Sequence, residues 1–149
     1  MSQLLREVET LSFKIGLSGT YWGKFPQYSI LIDDTIISQN SVTEPSIIEF
    51  QYTLTNNSDF TLSIRLNNKE DADTELNESN TEIVKDMLLN IDSIEIDGIE
   101  LEILKWSKSI FVPDDKNRPI LDNCVNLGWN GTYKLTISSP FYLWLLENM

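Results

Sequence analysis

Residues 46–66 read SIIEFQYTLTNNSDFTLSIRL, and two period-2 runs meet in them. Ile48, Phe50, Tyr52 and Leu54 fall on one side of the first run, and Phe60, Leu62, Ile64 and Leu66 on one side of the second. Successive side chains of a strand point to opposite faces, so this alternation belongs to half-buried strands. TNNSD between them is rich in turn residues, and the stretch predicts an antiparallel pair joined by a turn.

The same pattern spreads in both directions. Upstream, VETLSFKIGL places Val8, Leu11, Phe13, Ile15 and Leu17 on a mostly alternating strand. SGTYWGKFPQ then reads as a loop that carries aromatic rings, and YSILIDDTIIS as a hairpin turning at Asp33-Asp34. Downstream, EIVKDMLLNIDSIEI predicts two short strands, or one strand with a bulge at the centre of the sheet. Asp97-Gly98 is a stronger hairpin signal, since glycine tolerates the positive φ of a type I′ turn. Leu101–Val112 continues as strand material, PDDKNRPILDN (113–123) is a polar excursion, and Asn130-Gly131 turns into a last strand with Tyr133, Leu135 and Ile137. Pro140 sits at the first position of a terminal helix, FYLWLLENM, capped by Ser139. Its nearly complete apolar ring predicts burial or a partner. Many short strands with regular turns predict an all-β jelly-roll β-sandwich with a short C-terminal helix, a bent antiparallel barrel being the alternative. A length of 149 residues, 41% of them hydrophobic, suits a single domain over residues 1–149.

Composition narrows the function classes. A net charge of -12 repels phosphate backbones and anionic lipid, which argues against nucleic-acid and membrane partners. With no His the chain lacks the usual general base and most zinc or iron sites, which lowers the expectation of an enzyme. Cys124 has no partner for a disulfide and reads as a small buried hydrophobe. MSQLLREVETLSF has no signal-peptide pattern and no run is long enough for a transmembrane segment, so the chain is expected to stay soluble.

One loop stands out chemically. Between Arg65 and Gly98 lie Asn67, Asn68, Asp71, Asp73, Thr74, Asn77, Asn80 and Asp86, oxygen donors of the type that hold a hard cation. The spacing is not that of the helical twelve-residue calcium loop, and a solvated turn is the competing reading. Asp86 is sharper: a carboxylate inside an apolar strand must be paired, hydrogen-bonded or metal-bound, unless it points outward beside Lys85. Tyr21, Trp22 and Phe25 form a loop where a sugar ring could stack, whereas Trp106, Trp129 and Trp144 read as core or subunit contacts.

The order of an aromatic N-terminal strand and loop, an I-x-I-D hairpin, a strand ending in Asn and acidic residues, and then KDMLLNIDSIEIDGI (85–99) resembles the calcium-dependent, xylan-binding carbohydrate-binding modules of families 36 and 60. Over most of its length the chain also resembles a group of uncharacterised tailed-phage proteins. That likeness is carried by Asn68-Lys69, Asp73-Thr74, Lys85-Asp86, Ile91–Asp97 and Leu127–Asn148. The module resemblance implies a jelly roll with calcium on loop carboxylates, Asp73 and Asp86 foremost and Asn68 and Asp71 behind them, and a polysaccharide or cell-surface glycan as ligand. The phage resemblance implies a virion-associated decoration, fibre or adhesin protein, in the particle or the infected host cytoplasm. It would contact other virion proteins or its own copies through Phe141, Trp144 and Leu145. A purely structural virion protein is the second reading, and a glycan hydrolase the third.

Overall fold

The computed structural model describes residues 8–55 and 57–149. In chain order its elements are β1 (Val8–Thr20), β2 (Gln27–Ile32), β3 (Thr35–Ser41), β4 (Ser46–Thr55), β5 (Asp59–Leu66), β6 (Thr74–Leu76) and β7 (Ile83–Asp86). They continue as β8 (Leu88–Ile96), β9 (Ile99–Glu100), α1 (Leu104–Ser107), β10 (Ser109–Pro113), β11 (Leu121–Asp122), β12 (Asn126–Leu127), β13 (Gly131–Ser138) and α2 (Phe141–Asn148). One sheet runs β12-β8-β1-β4 with β9 on β8, the other β11-β10-β13-β5-β2-β3, and β6 and β7 form a ladder of their own. The pairings are antiparallel. Leu11, Phe13, Ile15 and Leu17 of β1 and Ile30, Ile64, Tyr133 and Leu135 from the facing sheet are essentially inaccessible and share one core. This is the expected all-β sandwich of jelly-roll type, with its short C-terminal helix.

The stretch 46–66 is two strands, but they do not pair. β4 pairs with β1, placing Phe50 against Phe13 with the rings stacked 4.8 Å apart, while β5 lies between β13 and β2 in the other sheet. The link between them crosses the core edge as an arch, with Asn57 at φ 62° donating its N–H to the Ser139 carbonyl. Strand alternation cannot separate an arch from a hairpin, because both bury the same faces. The two hairpins at Asp33-Asp34 and Asp97-Gly98 form as expected, and both Asp97 and Gly98 take positive φ. Of the alternatives for 82–96, two strands is correct, with Met87 buried between them.

Leu101–Val112 is not one strand. Leu101 and Leu104 are both buried three residues apart, which a helical turn satisfies and a strand does not, so α1 precedes β10. The Tyr133 hydroxyl donates to the Lys105 carbonyl and pins this turn. Burial, opposed by a hydrogen bond with Ser109, pushes the Tyr133 phenol far above its ordinary range. The folded state therefore keeps this proton after the unfolded chain loses it, and the contribution is complete below about pH 10 and lost as pH rises beyond it. Tyr133→Phe is expected to cost about 1 kcal/mol at neutral pH and to flatten the alkaline decline of stability, read from unfolding curves against pH.

The helix start also departs from expectation. Pro140 is the N-cap rather than the first helical residue, and Ser139 makes no helix cap. The role passes to Glu9 of β1, whose carboxylate accepts the Phe141 N–H and the Ser139 hydroxyl. An anion at the positive end of a helix is favoured by its exposed N–H groups. Strand registers put Val8, Thr55, Asp59 and Ser138 at this end of the sandwich, and Thr20, Leu66, Leu88 and Gly131 at the other.

Candidate functional site

The end opposite α2 gathers five segments. β5 runs into 67–73, where Asn68 accepts the Gln27 N–H at 2.8 Å and donates to the Phe25 carbonyl at 3.0 Å, tying the acidic loop to the aromatic one. The Asn130 amide accepts the Lys69 N–H at 2.7 Å and donates to the Lys69 carbonyl at 3.0 Å, fixing one residue of the loop from both sides. A single 3-10 turn at Asp71–Asp73 follows, closed by the Glu70 N–H on Asp73 Oδ2 at 2.8 Å. The Met87 N–H then reaches the Asp73 carbonyl at 2.9 Å and closes the base of the β6–β7 ladder where it enters β8.

The two carboxylates ranked first in the sequence both belong to this framework. Asp73 is buried, with Oδ2 3.1 Å from the Lys24 ammonium. Above all the hydrogen bond that Lys24 donates to Glu70, and then Asp73, hold that ammonium above the ordinary lysine range against the cost of desolvation. Asp86 Oδ1 accepts from the Lys69 ammonium and, at 2.7 Å, from the Thr74 hydroxyl. The same ammonium donates to the Met87 carbonyl at 2.7 Å. Asp86 is thus paired, as a carboxylate in that position requires, but its strand is not an apolar interior one: Ile83 and Val84 are exposed. Asp71 is exposed; its carbonyl accepts the Thr74 N–H, while its side chain makes no hydrogen bond or ion pair among the described residues.

A cleft of about 630 Å³ opens beside these groups. Asp71, Thr74, Asp86, Asp114, Asp115, Arg118 and Trp129 are among the residues that line it. The Arg118 guanidinium lies 4.1 Å from the Trp129 ring centroid, and Arg65 holds Asp114 at 2.8 Å. Across the ladder, Tyr21 and Phe25 stand exposed with ring centroids 4.8 Å apart, and Tyr21 borders a second hollow of about 320 Å³ that shares Ile83 and Asp86 with the cleft. Trp22 is half-buried, its ring under the Lys85 ammonium at 4.4 Å. So of the aromatic trio Tyr21 and Phe25 face solvent together, while Trp22 packs against the core.

Sequence reading missed Lys24, Lys69, Arg118, Trp129 and Asn130. The polar 113–123 excursion was the one signal pointing to Asp114, Asp115 and Arg118. The residues chosen for partner contact lie differently from expectation: Phe141 and Trp144 are buried in the chain's own core and Leu145 is half-buried, so the outward face of α2 is Tyr142, Leu143 and Leu146.

As a calcium seat the predicted set fits poorly. Calcium takes six to eight oxygens with carboxylates turned toward it. Asp73 and Asp86 are each turned toward an ammonium, and Asn68 spends both amide atoms on backbone. Among the described residues no three His, Cys, Asp or Glu side chains are grouped to hold a metal ion. No described helix is long and apolar enough to cross a membrane.

No family model matches the chain, and no curated protein matches it. Solved structures do share its fold. vCBM60 in complex with galactobiose matches with a TM-score of 0.52 at 13% identity, over 83% of this chain and 96% of that one. The SeMet form of vCBM60, from a study of circular permutation linking two families of calcium-dependent carbohydrate binding modules, matches with a TM-score of 0.52 at 13% identity, over 84% and 89%. At this identity the likeness is one of fold.

Proposed function

We propose that this chain is a non-catalytic glycan-binding domain whose ligand lies at the end built from residues 20–27, 67–73, 83–88, 114–118 and 128–130. The observation that carries the reading is the exposed Tyr21–Phe25 pair standing across the β6–β7 ladder from a carboxylate-lined cleft, with Ile83 and Asp86 common to the hollows on both sides. Sugars need both surfaces: an aromatic ring for the apolar face of the pyranose and carboxylates for its hydroxyls. The shared fold of a module that holds galactobiose supports it. A net charge of -12 favours neutral glycans over anionic ones. Hydrolysis is the weaker reading, because it needs two carboxyl groups facing each other across the scissile bond, and the least exposed ones here face lysines.

Titration calorimetry with galactobiose and xylo-oligosaccharides, preceded by a broad neutral-glycan array, tests the proposal. Tyr21→Ala is expected to weaken binding about tenfold, equivalent to one stacked ring. Binding to no glycan of the array, or binding unchanged by Tyr21→Ala and by Asp71→Asn alike, would overturn it.

A second reading, assembly with copies of itself or with another protein, is favoured by the outward apolar face of α2, where Tyr142, Leu143 and Leu146 are all more than half exposed; a tailed-phage particle is the setting that the sequence resemblance implies. Light scattering of the purified chain and mass spectrometry of particles test it. A monomer absent from particles rejects it.

A further inference from the structure

One oxygen of each of the two first-ranked carboxylates is already engaged with a cation of the chain's own. Asp86 Oδ1 and the Met87 carbonyl converge on the Lys69 ammonium, whose side chain is only 8% exposed. Asp73 Oδ2 accepts the Glu70 N–H and lies against Lys24. A calcium ion at Asp86 would bring two positive charges beside an ammonium with little water to screen them, and one at Asp73 would sit beside the more exposed Lys24. Nor is Lys69 free to swing away. Its backbone is clamped on both sides by the Asn130 amide, and its ammonium links two successive residues, Asp86 and Met87, that join β7 to β8.

We infer that Lys69 and Lys24 are the resident cations of this end of the sandwich, so that the segment from Asn67 to Met87 is assembled and held without calcium. A solved structure that shares the fold comes from a study of calcium-dependent carbohydrate binding modules. A covalently delivered ammonium is present at every ion concentration, and its seat needs no filling. Stability is then indifferent to calcium and to chelators. So is ligand binding, a corollary that rests on the glycan reading above.

The test uses the full chain. Thermal unfolding is compared in millimolar calcium and in EDTA, and calcium chloride is titrated calorimetrically into chelator-stripped protein. The expected result is a Tm unchanged to within about 1 °C and no saturable heat. A calcium-dependent rise in Tm beyond that, which would reach roughly 5–10 °C for an ion far above its Kd, overturns the inference, as does a saturable heat of one ion per chain. Neither measurement involves a glycan. Failure of every glycan to bind would therefore remove the functional proposal and leave this one intact.

Discussion

Lys69→Met is expected to destabilise the protein by about 3 kcal/mol, lowering Tm by roughly 6–12 °C for a chain of this size. The ammonium and its Asp86 partner have side chains 8% and 17% exposed, so removing the cation leaves a carboxylate that water reaches poorly. The Met87 carbonyl loses its lysine donor in the same step. Met keeps most of the aliphatic stem, and the loss is therefore electrostatic rather than a cavity. Asp86→Leu in the Lys69→Met background is expected to restore most of the stability, because a buried ion pair replaced by apolar groups of similar size is close to neutral. Urea unfolding of the two single variants and the double variant gives the coupling directly. A single variant within about 0.5 kcal/mol of the parent would show that the pair carries no weight.

Phe141→Ala is expected to cost about 4 kcal/mol and to release α2. Phe141 is wholly buried and stacks at 6.1 Å on Trp144, itself 8% exposed. An eight-residue helix has no independent stability, so it exists only while this apolar side is docked. Trp144 fluorescence is expected to shift to the red at denaturant concentrations where the parent remains folded. Leu146→Ser on the outward face, 69% exposed, is expected to change stability by less than about 0.5 kcal/mol. Equal effects from the two substitutions would mean that the helix packs the other way round.

What could be read from the sequence was whatever local chemistry decides. Asp97-Gly98 needs only its own backbone preferences to turn, and Leu62, Ile64 and Leu66 need only alternation to be a strand face. The arch between β4 and β5 was misread because the choice of sheet depends on β1 and β13, which lie far away in the chain. The site shows the same limit. Asp86 announced that it required a partner, but the partner is 17 residues away and one lysine among several. The helix cap was out of reach for a stronger version of the same reason: nothing near Pro140 indicates that a carboxylate 132 residues earlier will meet the Phe141 N–H. The exposure of Tyr21 and Phe25 follows from a loop rich in Gly and Pro, which cannot bury every ring it carries.

The Glu9 contact has a practical side. It fastens the start of β1 to the start of α2 at the end of the sandwich remote from the cleft. A bead, a fluorophore or a neighbouring protein coupled through α2 is therefore joined to the sandwich at that remote end. The cleft and the Tyr21–Phe25 rings then face outward from whatever the chain is mounted on, which suits both an oriented sensor surface and dense arrays of copies.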